Sequence, residues 1–387
     1  MKKIISFLII SFSVLNSTNI KIGMSTALSG PAKELGINMY AGVKLAFDEE
    51  NSKNKKNTYK ILLSDDGYEP LKAAKNVRHL IKEEKVLAII GNVGTPTANV
   101  TLPIIKENKI LFFGAFSGAS VLRERQGNNY VFNYRASYAQ ETASMINGLL
   151  TNGIKPKEIA FFTQNDSYGD EGYFGAISEL KRRGFFNTYN LAHGRYDRNT
   201  LNIEEGYISI LDSIVKPKAI IIVGSYKPVA KFIKLAKEDF PDALFLNVSF
   251  VGGNALKREL KGYTKNVIIT QVVPIFNSNI PIVKEYNRNI RKFSKNLKPS
   301  FVSLEGYIIG RLFIEQINSL ETKNIDSKTL LNSFRKMNSF DIGLNFKSSY
   351  NNKTHQYSNK IWTTKILNDK FVPFHWNEVK FHFKGKE

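Results

Sequence analysis

From residue 20 onward, short apolar runs that end in polar turns alternate with stripes of apolar residues at helical spacing. Residues 20–24 form the first run, residues 25–31 are rich in turn formers, and Met39, Val43, Ala46 and Phe47 then recur near a period of 3.6. The cycle repeats: a run at 59–63 ends in Ser64-Asp65-Asp66-Gly67, and Leu71, Ala74, Val77 and Ile81 make the next stripe. Residues 86–90 lead into Gly91-Asn92-Val93-Gly94-Thr95-Pro96, and residues 110–113 into Gly114-Ala115-Phe116-Ser117-Gly118. Bounded apolar runs of this length suit strands covered on both faces of a parallel sheet. The pattern restarts around Arg135–Glu141, with strands expected at 158–162, 219–223, 243–248 and 267–270. Polar loops at 163–169, 224–228 and 249–253 follow the first three of these. Residues 271–274 read as a crossing segment, 282–293 and 305–320 as long helices, and 346–374 as alternating strands. Strand–turn–helix alternation of this kind predicts an α/β fold with two parallel sheets of similar size.

In open parallel sheets, ligands sit beyond the carboxyl ends of the strands, which is where every polar loop above falls. Thr95 followed by Pro96 reads as a helix N-cap and first-turn pair, and Ser117 as the start of the next turn. Two helix starts aiming backbone N–H groups and hydroxyls at one spot would attract an anion, because helix N-termini carry partial positive charge. The plainer alternative is that both are ordinary βα turns.

Composition narrows the function classes. A chain of 387 residues, 42% hydrophobic and 12% aromatic, is globular and long enough for two domains. Its formal charge of +21 raises the question of nucleic acid, but the cations are dispersed along the whole chain among acids and neutral residues. No nucleic-acid partner is expected. The absence of cysteine excludes disulfides, thiolate metal sites and cysteine nucleophiles. Lys2-Lys3, an apolar stretch over 4–14 and polar Asn16-Ser17-Thr18 predict an export signal over residues 1–19, too short to span a bilayer. The expected location is therefore periplasmic, as a soluble mature chain. The five histidines are scattered, and no G-x-S-x-G, G-x-G-x-x-G or phosphate-loop pattern occurs. No enzyme activity, cofactor or metal is expected; Asp65-Asp66 are adjacent and poorly spaced for one ion.

The motifs Leu28-Ser29-Gly30-Pro31, Asp65-Asp66, Gly91-Asn92-Val93-Gly94-Thr95, Asp166-Ser167-Tyr168-Gly169 and Glu305-Gly306-Tyr307 stand in a familiar order. In them the chain resembles the leucine/isoleucine/valine-binding periplasmic proteins, type I solute receptors of branched-chain amino-acid uptake systems. The resemblance implies a periplasmic-binding-protein type I architecture: two doubly wound parallel-sheet lobes joined by a three-segment hinge. Residues 20–138 and 272–345 would form the N-terminal lobe, and 139–271 and 346–387 the C-terminal one. It further implies that Thr95 holds a ligand carboxylate, together with the second loop Ala115-Phe116-Ser117. Tyr168 and Tyr226 would close over the ligand from the opposing lobe, and Leu35 replaces the aromatic wall often found there. Ser249 falls where the family carries an acid for the ligand ammonium. A buried ammonium without a counter-charge costs several kcal/mol, so either Glu305 or Asp166 substitutes or the ligand has no amine. Their plain readings are a helix-start carboxylate and a turn-forming aspartate. The implied function is capture of a small polar ligand (an amino acid, amide or small organic acid) for an ABC-type permease. The alternative is a sensing module of the same fold that presents its closed form to a membrane regulator.

Overall fold

The computed structural model describes residues 18–53, 57–124, 129–320, 325–337 and 339–383. The leader expected at 1–19 lies outside them, apart from its last two residues, which already belong to the first strand.

The first sheet comes from the first third of the chain. In order it contains β1 (Thr18–Thr26), α1 (Lys33–Asn51), β2 (Asn57–Asp65), α2 (Pro70–Lys82), β3 (Ala88–Ile90), α3 (Thr95–Asn108), β4 (Leu111–Phe113) and β5 (Val131–Phe132). All pairings are parallel, in the order β2-β1-β3-β4-β5. Strands β3 and β4 are buried at every residue, as expected of apolar runs sandwiched between helix layers. On α2 the buried stripe is Ala73, Ala74, Val77 and Leu80. Leu71, expected on that stripe, stands in solvent, because at about 100° per residue it falls on the far side of the helix from the face centred on Ala73, Val77 and Leu80.

The chain then builds a second sheet. Its elements are α4 (Tyr138–Thr151), β6 (Ile159–Gln164), α5 (Ser167–Arg182), β7 (His193–Tyr196), α6 (Glu204–Leu211), β8 (Ala219–Val223), α7 (Tyr226–Asp239), β9 (Leu244–Asn247), α8 (Gly253–Leu260) and β10 (Val267–Gln271). It returns as α9 (Pro281–Phe293), α10 (Phe301–Asn318) and α11 (Ser327–Lys336), followed by the short pair β11 (Ser339–Phe340) and β12 (Ser348–Ser349). Helix α10 lies against α1 so closely that a Cβ on Gly42 would fall 2.0 Å from the Ser303 carbonyl oxygen. Only glycine permits that approach, and it ties the returning helices to the first sheet. The tail ends in β13 (Trp362–Leu367), β14 (Lys370–Pro373) and α12 (Glu378–Phe383). The second sheet runs β14-β13-β10-β9-β8-β6-β7, parallel except that β13 and β14 pair antiparallel at one edge.

One boundary is later than the sequence suggested. Asn133 N donates to His355 O at 2.7 Å, and the Tyr357 and Ser358 amides donate to Asn133 and Tyr134, each at 2.9 Å. These bonds extend the edge of the first sheet, so the crossing expected at 346 comes only after Ser358. Among the described residues the chain passes between the sheets near 133–137, 272–280 and 359–361. Among them, too, no helix is long and apolar enough to cross a membrane.

Candidate functional site

The loops after β3 and β4 are bonded to each other. Gly94 N donates to Phe116 O at 3.1 Å and Phe116 N to Asn92 O at 2.8 Å. Gly94, with φ 103°, is the residue that caps α3. Thr95, expected as the cap, is instead the first helical residue, because glycine alone adopts that φ without strain. The shift leaves the Thr95 hydroxyl free of capping, and it lies 2.8 Å from the Ser117 hydroxyl, both wholly buried. Thr95 N–H sits in the first helical turn, where no carbonyl four residues back is available. Ser117 starts no long helix; its oxygen accepts from Ala119 N at 3.3 Å. Phe116 faces the space between the sheets, whereas Ala115 packs into the apolar cluster of Ala98, Leu102 and Leu122 under the first sheet.

Asp65 and Asp66 hold loops rather than an ion. Asp65 Oδ1 accepts from the Leu28, Ser29 and Gly67 amides, and these bonds keep its carboxyl below the usual range. Asp66 takes the Ser25 hydroxyl at 2.8 Å and Tyr68 N at 2.9 Å, while burial lifts its pKa to about 6. Tyr68 is thereby held at φ 63°, a strained value for a bulky residue, with its ring against Gly94. Its hydroxyl accepts from Gln164 Nε2, on the other sheet, at 3.2 Å.

The two sheets meet face to face through aromatic rings. Phe250, in a short turn after β9, has its centroid 4.4 Å from Tyr168, 5.2 Å from Phe116, 6.0 Å from Tyr68 and 6.4 Å from Tyr138. Tyr168 is set by Asp166, which caps α5 by accepting its amide at 3.0 Å; its hydroxyl donates to Gly224 O at 3.2 Å. The Tyr226 hydroxyl accepts from Glu34 N at 3.4 Å across the gap, and Leu35 rests on Gly252. At the rim, Arg198 joins Asp166 (3.2 Å) to Glu69 (3.3 Å), Asn199 reaches Glu69 at 2.6 Å, and Ser120 Oγ donates to Glu171 at 2.6 Å. The two halves are therefore bridged at several points around the cleft. This is a closed form.

The feature missed from sequence is Arg135, in the first crossing. It is wholly buried, with its guanidinium 4.7 Å from the Phe116 centroid and 5.7 Å from that of Tyr138. Nη2 donates to Ser249 Oγ and, at 3.5 Å, to Glu141 Oε1; Nη1 is 3.7 Å from Glu305 Oε1. Glu141 is the acid that lies beside Ser249: its carboxylate accepts the Ser249 amide (2.8 Å), the Ser249 hydroxyl (2.9 Å) and the Thr270 hydroxyl (2.5 Å). Burial raises its pKa, and Arg135 opposes the rise. Glu305 is in the second turn of α10 rather than at its start, and burial lifts its pKa to about 7 against the pull of Arg135. The structure thus gathers Thr95, Phe116, Ser117, Tyr168, Ser249 and Glu305 in the buried interlobe region, and places Asp166, Tyr226 and Leu35 around its margin. A basic residue amid Asn133-Tyr134-Arg135-Ala136, just where the pattern restarts, was the one available signal.

Two α/β sheets facing each other across such a cleft are matched by known proteins. A family model described as "Periplasmic binding protein" covers residues 19–370. The chain belongs to that family. A structure titled as a possible leucine/isoleucine/valine-binding protein from Rhodopirellula baltica SH 1 is 45% identical, with a TM-score of 0.91, over 94% of this chain and 98% of that one. The "Leu/Ile/Val-binding protein homolog 7" of Brucella abortus (strain 2308) is 25% identical over 369 residues, 88% of each chain. A branched-chain amino acid ABC transporter structure from Thermus thermophilus with bound valine shares the fold, with a TM-score of 0.80 at 16% identity over 95% of this chain and all of that one. The likeness read from the motifs is borne out, and these relatives are binding proteins rather than enzymes.

Proposed function

We propose that this periplasmic binding protein, exported by its N-terminal leader, captures a small polar molecule between its lobes and hands it to an ABC-type permease. The observation that carries the reading is the convergence, in one buried space between facing sheet ends, of the Thr95–Ser117 hydroxyl pair and Arg135 beneath a lid of aromatic rings. Thr95, Ser117 and the first-turn amide of α3 take the negative end of the guest, since helix N-termini favour anions. Tyr168 and Phe250 approach from the opposing sheet, and Leu35, Asp166 and Tyr226 hold the margin. The guest stabilises the closed form because these contacts exist only there. The relatives whose titles name branched-chain amino-acid binding and transport support the capture role.

A thermal-shift screen against amino acids, amides and small organic acids tests it. Ligand at about 100 times its dissociation constant should add about 2.7 kcal/mol of stability. A folded sample that none of them stabilises would overturn the reading. Co-purification with a membrane sensor instead of a permease would reassign the partner.

A further inference from the structure

We propose that Arg135 holds the guest directly and that the guest is a small carboxylic acid lacking an ammonium group; this rests on the capture reading above. The argument is an inventory of hydrogen-bonding capacity around one buried guanidinium. Glu141 has no acceptor site left, because its two oxygens already take the Ser249 amide, the Ser249 hydroxyl, the Thr270 hydroxyl and Arg135. Asp166, at the margin, accepts from Tyr168 N and Gln164 Nε2, and its charge is already paired by Arg198. Both acids are already paired with an arginine, so neither offers an ammonium an unshared counter-charge.

Among the described residues, the buried side-chain atoms here without hydrogen-bond partners are Arg135 Nε and Nη1, the Tyr134 and Tyr138 hydroxyls, which can donate or accept, and the acceptors Glu305 Oε1, 3.7 Å from Nη1, and Asn247 Oδ1 at the end of β9; the guanidinium positions are the ones that can only donate. The Tyr138 hydroxyl faces Ser117 and the Gly118 amide, next to the Thr95 hydroxyl. Asn92, at the end of β3, has both ends of its amide unpaired and favours neither sign. An unpaired N–H on a buried guanidinium is costly, and a carboxylate oxygen is the partner that relieves it most. An ammonium in the same space would have to settle at Glu305, within ion-pair reach of the Arg135 charge, where like charges repel. With Arg135 and Glu141 balancing each other, the space is short of negative charge as soon as Glu305 holds its proton. Phe250 packs on Phe116 and Tyr168 beside this region, so a guest held by Arg135 lies against aromatic rings.

The test pairs acids that share a carbon skeleton: pyruvate with alanine, 3-methyl-2-oxobutanoate with valine, and 4-methyl-2-oxopentanoate with leucine. Titration calorimetry on the full chain should show the better oxo acid binding at least about tenfold tighter than its amino partner. Arg135→Lys keeps the charge but loses the fork and should weaken that oxo acid about tenfold or more. Tyr138→Phe removes a hydroxyl only, and serves if Arg135→Lys fails to fold; it should weaken binding several-fold. An amino acid binding as tightly as its oxo partner overturns the proposal, as does unaltered oxo-acid affinity in both variants. Binding by none of these acids overturns it too, but leaves capture itself standing if an amide stabilises the protein in the thermal-shift screen.

Discussion

Replacing Glu305 by glutamine isolates one buried charge. In an unfolded chain a glutamate ionises near 4.5, whereas burial beside Arg135 holds this one protonated up to about 7. Between those two values the native state carries a proton that the unfolded state has released. The contribution to stability is therefore full below 4.5, declines as pH rises through the interval, and is gone above about 7. At about 1.4 kcal/mol per pH unit, that interval is worth about 3 kcal/mol. Glu305→Gln has no proton to lose, so its stability relative to wild type should rise by roughly that amount between pH 4.5 and 8. Asp66, also raised by burial, contributes a similar slope in both proteins and cancels in the comparison. The assay is urea unfolding followed by circular dichroism at closely spaced pH values, with both proteins in one buffer series. Parallel curves, or a wild type that gains on the variant as pH rises, would refute the account of Glu305 as a proton-holding acid.

Three further outcomes are expected. Phe250→Ala removes the ring that bridges the sheets; a buried Phe→Ala change costs about 3–5 kcal/mol, and here the loss should appear as a larger radius in small-angle scattering as well as lower stability. Arg198→Gln breaks half-exposed ion pairs of about 0.5 kcal/mol each, so it should favour opening at low salt, with the difference from wild type fading as sodium chloride is added. Gly94→Ala should destabilise by more than about 1 kcal/mol, since φ is 103° and the new Cβ would fall 2.1 Å from Tyr68 Cε2; an unchanged urea midpoint would contradict that geometry.

Much of the architecture follows from local pattern. The apolar runs at 88–90, 111–113, 219–223 and 267–271 are buried on both faces, and a strand buried on both faces has no polar alternative to read. The polar loops after them were correctly placed at strand ends for the same reason. Short elements were less legible: β5 has two residues and β7 only four, His193–Tyr196, too few to show a period. Among the candidate residues, Thr95, Phe116, Ser117 and Tyr168 stand out in the sequence because each lies in a loop or helix start three to five residues beyond a strand's last residue. Arg135 and Glu141 could not, since a charged pair near a restart in the pattern reads as a solvated connection until three separate segments fold around it.

The division is physical. The identity of the longer strands, turns and helices is set by neighbours within a few residues, through side-chain periodicity and the φ that glycine allows, and the sequence carries that locally. Which acid stands beside Ser249, which hydroxyls are already bonded and which donors are left unpaired depend on residues more than a hundred positions apart, such as Glu141 and Thr270. Only the closing of one lobe on the other strips water from those groups and decides what the cleft still has to offer a guest.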